Sequence, residues 1–267
     1  MITAGMDLGS KFIKIVIMND GDVIARAKML SGFEQEVTAS EALSEALSKA
    51  GLQSGDIERL TATGVGRSIA PFAHDRLTEV GAAARGAIAR LPETRTVIDV
   101  GAEEGRAILI TPDGHVKDFA INEKCAAGSG TFTEAMARAL ELDIVEFGRL
   151  SLQSDKAVPM NAQCAVFAES EVVSLLHART PKQDISRAVH DAIASRIVSM
   201  ARRVSVEREV MIIGGMAYNV GFIASMKRAL EMELIVPDDP DYVPAEGAAW
   251  AAHDKLVGME KTELKER

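Results

Sequence analysis

The same order of short strands and tight turns occurs twice along this chain of 267 residues. The first copy has predicted strands at 2–7, 12–18 and 23–29. The second copy has predicted strands at 96–100, 106–111 and 115–121. In each copy an aspartate ends the first strand and a glycine follows two residues later: Asp7 with Gly9, and Asp99 with Gly101. Because both tripeptides sit at a strand–turn–strand junction, we interpret the pattern as an internal duplication of architecture, which predicts an α/β fold.

The remaining predicted elements place one boundary in the chain. Predicted helices lie at 39–50, 131–141, 144–150, 165–178, 184–204 and 219–231. Further strands are predicted at 59–63, 210–213 and 233–236, and a last helix opens near Gly247. No low-complexity linker divides the sequence, so we place the boundary near residue 93. This predicts an N-terminal domain at 1–93, to which the last helix at about 247–258 can return, and a C-terminal domain at 94–246.

Charge and hydropathy argue against two classes of partner. The net charge of −9 is unfavourable for a general nucleic-acid binder, which needs a basic surface. No apolar run approaches the ~18 residues that a membrane span needs. The apolar run at the start contains Asp7 and Lys11, so it is typical of a first strand rather than of an export signal. We therefore expect a cytoplasmic protein with no nucleic-acid or membrane partner.

The first repeated tripeptide has the chemistry of a phosphate-binding loop. A nucleotide needs backbone N–H groups close to its phosphate oxygens, and a carboxylate that holds Mg²⁺ or its water shell. Gly9 lets the backbone approach a phosphate without interference from a Cβ atom, and Asp7 supplies the carboxylate. Ser10 and Lys11 add a hydroxyl group and a positive charge.

A second hairpin and a Gly-Gly segment extend this pattern. Asp99, with Glu103 or Glu104, can orient a metal ion and an attacking water molecule. The segment GGMA at 214–217 follows an apolar strand and precedes a helix, which suits adenine and ribose, and GAA at 247–249 can complete that pocket. Each motif alone is also typical of a simple tight turn. Their order and spacing together favour a nucleotide site, and the sequence has no Walker or dinucleotide fingerprint.

The predicted nucleotide-site residues form two sets. Candidate catalytic carboxylates are Asp7, Asp99, Glu103 and Glu104. Candidate contacts of ATP or ADP are Gly9, Ser10, Lys11, Lys14, Gly101, Ala102, Gly128, Gly130, Gly214, Gly215, Met216, Asn219 and Gly247. Mg²⁺ is expected together with the nucleotide.

The order of these motifs resembles that of actin, the sugar kinases and the heat-shock chaperone ATPases. Members of that superfamily use two hairpin phosphate loops and a Gly-Gly adenosine loop. The resemblance implies an actin/hexokinase-like (ribonuclease H-like) ATPase of two domains, with duplicated βββαβα units. It covers the whole chain but is generic in function.

The two cysteines, Cys125 and Cys164, both lie just before predicted helices. The partial positive charge of a helix N-terminus stabilises the thiolate form, which is the form that binds metals. Two thiolates are half of a four-thiolate site, which a dimer can complete with a [4Fe–4S] cluster or with zinc. Two unrelated buried thiols are the alternative that spacing alone leaves open.

A narrower resemblance concerns the segments CAAGSG at 125–130 and CAVFAESEVVS at 164–174. These resemble the BadF/BadG/BcrA/BcrD ATPase family, which includes the activators of 2-hydroxyacyl-CoA dehydratases and the ATPase subunits of benzoyl-CoA reductases. The segments TGVGR at 63–67 and IGGMAYN at 213–219 extend the match. The resemblance implies that Cys125 and Cys164 of two protomers together bind one [4Fe–4S] cluster.

One departure from the activators lies in the second hairpin. Activators usually carry Gly-Gly-Gln-Asp where this chain has Gly101-Ala102-Glu103-Glu104. The variant GAEEGRA resembles the delta-type ATPase subunit of ATP-dependent benzoyl-CoA reductase. This implies a heterodimer with a homologous ATPase subunit, which passes low-potential electrons from ferredoxin to the acyl-CoA-reducing subunits. Replacement of the glutamine by Glu103 leaves the hydrolysis rate open.

Three alternatives remain at the level of sequence. The first is the homodimeric, ATP-dependent activator of a 2-hydroxyacyl-CoA dehydratase. The second is a small-molecule kinase of the same fold, such as a sugar kinase, which would need a catalytic aspartate in a sugar pocket and no cluster. The third is a non-enzymatic scaffold of actin-like fold.

Overall fold

The computed structural model describes residues 1–70, 72–122, 129–160 and 165–266, with the side chains of 165–166 and 260–266 left undescribed. The strands are β1 (Ile2–Leu8), β2 (Phe12–Asn19), β3 (Asp22–Leu30), β4 (Arg59–Thr63), β5 (Asp75–Arg76), β6 (Thr96–Val100), β7 (Gly105–Ile110), β8 (Val116–Asn122) and β9 (Val210–Ile213). The helices are α1 (Gln35–Ala50), α2 (Glu79–Arg90), α3 (Gly130–Ala139), α4 (Ile144–Ser151), α5 (Ala165–His177), α6 (Lys182–Ala201), α7 (Val220–Leu230) and α8 (Val243–Glu266). Within these ranges no helix has both the length and the apolar character to cross a membrane.

The chain divides into two compact units. Unit 1 comprises Met1–Glu93, Asp113–Val116 and Tyr242–Arg267, and unit 2 comprises Thr94–Pro112 and Lys117–Asp241. The sheet of unit 1 has the order β3-β2-β1-β4-β5, and that of unit 2 has the order β8-β7-β6-β9. In both sheets the first strand pairs antiparallel with the second and parallel with the fourth of its unit. The two sheets therefore follow one plan, as the duplicated sequence pattern predicts.

The sheet of unit 1 is buried on both faces because successive side chains of a strand point in opposite directions. Ile13, Ile15 and Ile17 of β2 lie in one cluster with the apolar face of α1, whose buried residues recur at helical spacing (Ala39, Ala42, Leu43, Ala46 and Leu47). Val16 and Met18 lie in a second cluster with Ala245 and Ala249 of α8. Gly51 ends α1 in the left-handed conformation.

Unit 2 has its core between the β6 strand and helices α6 and α7. Val189, Ile193 and Ile197 recur every four residues along α6 and are fully buried in this cluster. Ile98 of β6 and Phe222 of α7 lie in the same cluster. This packing fixes the end of β6, from which Asp99 projects.

Several predicted boundaries are wrong. The predicted strand at 233–236 is absent, and Ile235 forms a single bridge to Met211 before Pro237, which has no N–H group to donate. Helix α2 was not predicted, because its sequence is rich in Ala and Gly and lacks a clear apolar period. Helix α8 begins at Val243 rather than near Gly247, and α1 begins at Gln35 rather than at residue 39.

Candidate functional site

Loop 1, residues 7–14, joins β1 to β2 in unit 1. The Gly9 N–H donates to the Phe12 carbonyl at 3.1 Å, which closes the turn. Asp7 and Lys14 face each other across the strand pair, and the Lys14 ammonium donates to Asp7 Oδ2 at 2.7 Å. Both side chains are largely buried, so each charge is compensated by the other.

Two further contacts hold loop 1 in place. Gly64 follows β4 with a φ of +90°, and a Cβ atom there would come within 2.6 Å of Asp7 Oδ1 and 2.5 Å of the Leu8 carbonyl oxygen. The Ser31 hydroxyl donates to the Gly9 carbonyl at 2.6 Å. Gly64 and Ser31 were not among the predicted site residues. The signal for Gly64 was present, because it directly follows β4 as Gly214 directly follows β9.

Loop 2, residues 99–106, joins β6 to β7 in unit 2 with the same turn. The Gly101 N–H donates to the Glu104 carbonyl at 2.9 Å. Arg106 faces Asp99 across the strand pair and donates to Asp99 Oδ2 at 3.3 Å and to Glu104 Oε2 at 2.5 Å. Arg106 was not among the predicted site residues. Its signal was its position seven residues after Asp99, as Lys14 follows Asp7.

The surroundings of loop 2 also match those of loop 1. Gly214 follows β9 with a φ of +86°, and a Cβ atom there would come within 2.5 Å of both Asp99 Oδ1 and the Val100 carbonyl oxygen. The start of α3 is tied to the loop, because the Gly130 N–H donates to the Gly101 carbonyl and the Thr131 N–H to the Ala102 carbonyl, each at 2.9 Å. Loop 2 is therefore held by its own backbone and by α3.

The glycine loop, residues 214–219, links β9 to α7. At Gly215 an added Cβ atom would have no heavy atom of the described residues within 4 Å, whereas Met216 is buried in the core of unit 2. The Tyr218 hydroxyl donates to Asp241 Oδ1 at 2.7 Å. Gly215 thus presents exposed backbone with open space beside it, which leaves room for a flat ligand.

Asn219 ends the glycine loop and faces inward. Its Oδ1 accepts a hydrogen bond from the Phe222 N–H at 3.0 Å, which caps α7. Its amide neighbours the His190 imidazole, which is fully buried and lies 4.7 Å from the Phe147 ring. Burial lowers the pKa of His190 to about 4, although the hydrogen bond to the Ser186 carbonyl and the neighbouring Asn219 side chain act in the opposite direction. The structure thus gives Asn219 a supporting position behind the glycine loop.

Gly247 lies inside unit 1, in the first turns of α8. An added Cβ atom would come within 1.9 Å of the Ala82 carbonyl oxygen and 2.7 Å of the Gly86 nitrogen, both in α2. The adjacent Glu246 is buried and accepts hydrogen bonds from Arg26 and Arg90. These contacts explain the glycine by the close approach of two helices.

The charges of the two phosphate-loop candidates differ in sign. Loop 1 contains Lys11 and Lys14 against Asp7, a formal charge of +1. Loop 2 contains three carboxylates against Arg106, a formal charge of −2. Oxygen ligands and their water shells are what Mg²⁺ prefers, so loop 2 fits this cation, whereas loop 1 fits an anion.

The predicted cluster ligands Cys125 and Cys164, and the predicted nucleotide contact Gly128, lie outside the described residues. Helix α3 begins at Gly130 and α5 begins at Ala165. In the part of the chain that the structure describes, no group of three or more His, Cys, Asp or Glu side chains can hold a metal ion by itself. Mg²⁺ at loop 2 would therefore keep water molecules or nucleotide oxygens among its ligands.

Comparison with known proteins gives one family. The family model described as the BadF/BadG/BcrA/BcrD ATPase family matches residues 4–252. The solved structure of the activator of the 2-hydroxyisocaproyl-CoA dehydratase from Clostridium difficile, with bound ADPNP, is 37% identical, has a TM-score of 0.92 and is covered over 98% of each chain. One of the subunits of the benzoyl-CoA reductase of Thauera aromatica is 32% identical over 99% of this chain and 99% of its own length.

A more distant structure bears on the fold alone. The ROK family glucokinase from Streptomyces griseus, in complex with glucose and AMPPNP, covers 95% of this chain and all of its own with a TM-score of 0.60 and 12% identity. Together with the activator structure it confirms the predicted actin/hexokinase-like α/β fold class.

Proposed function

Because this chain belongs to the BadF/BadG/BcrA/BcrD ATPase family, we propose that it binds and hydrolyses ATP with Mg²⁺ in order to activate a partner enzyme that acts on an acyl-CoA thioester. The repeated loop geometry is the observation that carries this proposal. Both units present a turn closed by a glycine N–H, an aspartate opposite a basic residue, and a left-handed glycine against that aspartate. A simple tight turn needs neither of the last two features.

The loops have different tasks in this proposal. Gly9, Ser10 and Lys11 of loop 1 bind phosphate oxygens, since Ser10 at the turn is exposed and the loop carries positive charge. Asp99, Glu103 and Glu104 of loop 2 would hold the water shell of Mg²⁺ and would orient the attacking water. Bound Mg²⁺ supplies positive charge that offsets the charge of the phosphates. Gly214 and Gly215 lie against adenosine, as the open space beside Gly215 allows.

We further propose that Cys125 and Cys164 hold half of a [4Fe–4S] cluster and that a second subunit supplies the other half. Two thiolates from each of two chains satisfy the four-thiolate requirement of such a cluster, which takes up and passes on single electrons. Exposed apolar side chains on α5, Phe167 and Val173, support a subunit contact there, because α5 begins at the residue after Cys164 in the sequence. The proposed electron donor is ferredoxin, and the proposed compartment is the cytoplasm.

Two partner enzymes fit this proposal. A homodimer that activates a 2-hydroxyacyl-CoA dehydratase is favoured by the 37% identity to the dehydratase activator, against 32% to the reductase relative. A heterodimeric ATPase subunit of benzoyl-CoA reductase is favoured by the acidic loop 2, with Glu103 where activators have glutamine. Cluster formation by the isolated chain distinguishes the two partner enzymes. Only the activator proposal predicts a complete cluster without a second kind of ATPase subunit.

The test is an anaerobic preparation of the full chain with iron and acid-labile sulfide analysis and measurement of its mass in solution. One cluster per two identical chains, with stimulation of the dehydratase, supports the activator. A cluster that forms only with a homologous ATPase subunit supports the reductase. Cys125→Ser and Cys164→Ser should each remove the cluster absorbance and leave ADP binding intact. Normal cluster content in both variants contradicts the cluster assignment.

A further inference from the structure

The Arg106 side chain donates hydrogen bonds to two carboxylates of loop 2, those of Asp99 and Glu104. We infer that Arg106 is the positioning residue of this loop: its guanidinium fixes the carboxylates of Asp99 and Glu104 relative to each other, so that both serve the magnesium–nucleotide complex. The inference rests on the proposed ATP and Mg²⁺ binding and adds a residue to it.

The geometry of the contact supports positioning rather than a diffuse charge effect. Nη1 of Arg106 donates to Asp99, and Nη2 donates to Glu104, so each carboxylate has its own nitrogen of one planar group. The Arg106 and Asp99 side chains are each only 8% exposed, whereas Glu104 is 30% exposed. The guanidinium therefore links a buried carboxylate to one at the rim of the loop.

The counterpart in loop 1 explains why the residue is arginine. Lys14 stands opposite Asp7 as Arg106 stands opposite Asp99. Counted from each aspartate, the position of Glu104 in loop 2 is taken by Phe12 in loop 1. Loop 1 thus has one carboxylate facing one ammonium, and loop 2 has two carboxylates facing a group with separate donors. The substitution Arg106→Lys would keep the positive charge but would replace the two separate donor nitrogens by a single ammonium group.

Removal of the guanidinium has a predictable consequence. Two neighbouring carboxylates repel each other, and the buried one, Asp99, would lose its positive partner. Groups that orient metal-binding side chains matter for metal affinity even though they do not touch the metal. We therefore expect the Mg²⁺-dependent part of nucleotide affinity to fall more than the affinity for Mg²⁺-free nucleotide.

The experiment compares ADP affinity with and without Mg²⁺ by calorimetry on the full chain. For Arg106→Gln we expect the gain in affinity that Mg²⁺ provides to fall about tenfold. We expect a smaller loss for Arg106→Lys. In the absence of Mg²⁺ we expect little change for Arg106→Lys and, for Arg106→Gln, at most the about threefold loss that removal of one positive charge causes. Arg228→Gln is the control, because it removes another arginine–carboxylate pair of unit 2, that with Asp191, outside loop 2.

The outcomes separate this inference from the proposed function. An unchanged or larger Mg²⁺ gain in Arg106→Gln overturns positioning, because loss of a positive charge alone strengthens cation binding. If Arg106→Gln does not fold, an Arg106→Lys variant with wild-type Mg²⁺ gain overturns it equally. A wild-type chain that binds no ADP contradicts the proposed function itself.

Discussion

Loop 1 and loop 2 share a backbone and differ in charge. In both loops a glycine N–H closes the turn by donating to the carbonyl three residues later, and a basic residue faces the aspartate. A left-handed glycine, which directly follows the neighbouring parallel strand, packs against that aspartate. Loop 1 carries a formal charge of +1 and loop 2 one of −2. The duplicated fold thus keeps the placement of the aspartate, while the turn residues set the charge of each loop.

The largest expected effect tests whether the two glycine contacts are equivalent. Gly64→Ala and Gly214→Ala should each lower the free energy of unfolding by about 3 kcal/mol, because left-handed strain adds to a collision with backbone oxygen. Denaturant unfolding measures the change. Gly51→Ala is the control, since Gly51 has a φ of +68° but nothing within 4 Å of its added Cβ, and we expect a loss of about 1 kcal/mol. A mild effect at only one of the two sites would break the equivalence of the loops.

The next effect is a difference between the two units in how their stability depends on pH. His190 in unit 2 is fully buried with its pKa lowered to about 4, and no described histidine of unit 1 is fully buried. Between pH 6.5 and 4 the unfolded chain binds a proton that the folded unit 2 does not, so the stability of unit 2 falls as pH falls. We expect a loss of about 2 kcal/mol at pH 5 relative to neutral pH.

Urea unfolding at pH 7 and pH 5 checks this expectation, with a probe placed in each unit. His190→Phe keeps a ring beside Phe147 and removes the titrating group, so its stability should change less over the same pH range. Equal acid sensitivity of the wild type and this variant would place the titrating group elsewhere.

The smallest effect tests the difference in charge. Lys11→Gln in loop 1 should weaken the binding of Mg²⁺-free ADP about threefold, and Glu103→Gln in loop 2 should strengthen it by a similar factor, because both positions have some solvent exposure and are screened. Fluorescence titration at low and high salt measures both affinities, and the two differences should shrink at high salt. Changes of the same sign in the two variants would show that the loops do not divide the charge in this way.

The sequence predicts the elements that carry strong local signals. The strand–turn–strand copies, Asp7, Asp99 and the Gly-Gly segment could be located because strand alternation and glycine turns are local properties. Helix α2 could not be located, because the reason for its small residues lies in its tertiary packing against α8. There Gly86 allows the Val243 backbone to approach closely. The short segment around Ile235 looked like a strand, although it forms only one bridge.

The site shows the same division between local and long-range information. Arg106 was overlooked although its spacing from Asp99 repeats that of Lys14 from Asp7. Its pairing with Asp99 depends on the register of β6 with β7, which only the tertiary structure shows. Gly247 and Asn219 were predicted as contacts of ATP or ADP. Their packing against Ala82 and their place in the α7 cap depend on tertiary contacts. That Gly247 and Asn219 also contact the nucleotide stays a prediction.

The most direct test of nucleotide binding uses glycines whose replacement leaves the fold undisturbed. An added Cβ has no described atom within 4 Å at Gly215, and at Gly101 its nearest described neighbour is the Glu104 carbonyl oxygen at 3.6 Å. Calorimetric titration of ADP with Mg²⁺ into Gly215→Ala and Gly101→Ala should show an affinity at least about tenfold below that of the wild type, because the methyl group occupies space that the nucleotide needs. Their melting temperatures should stay within a few degrees of the wild-type value. Wild-type affinity in both variants would contradict nucleotide binding at these loops.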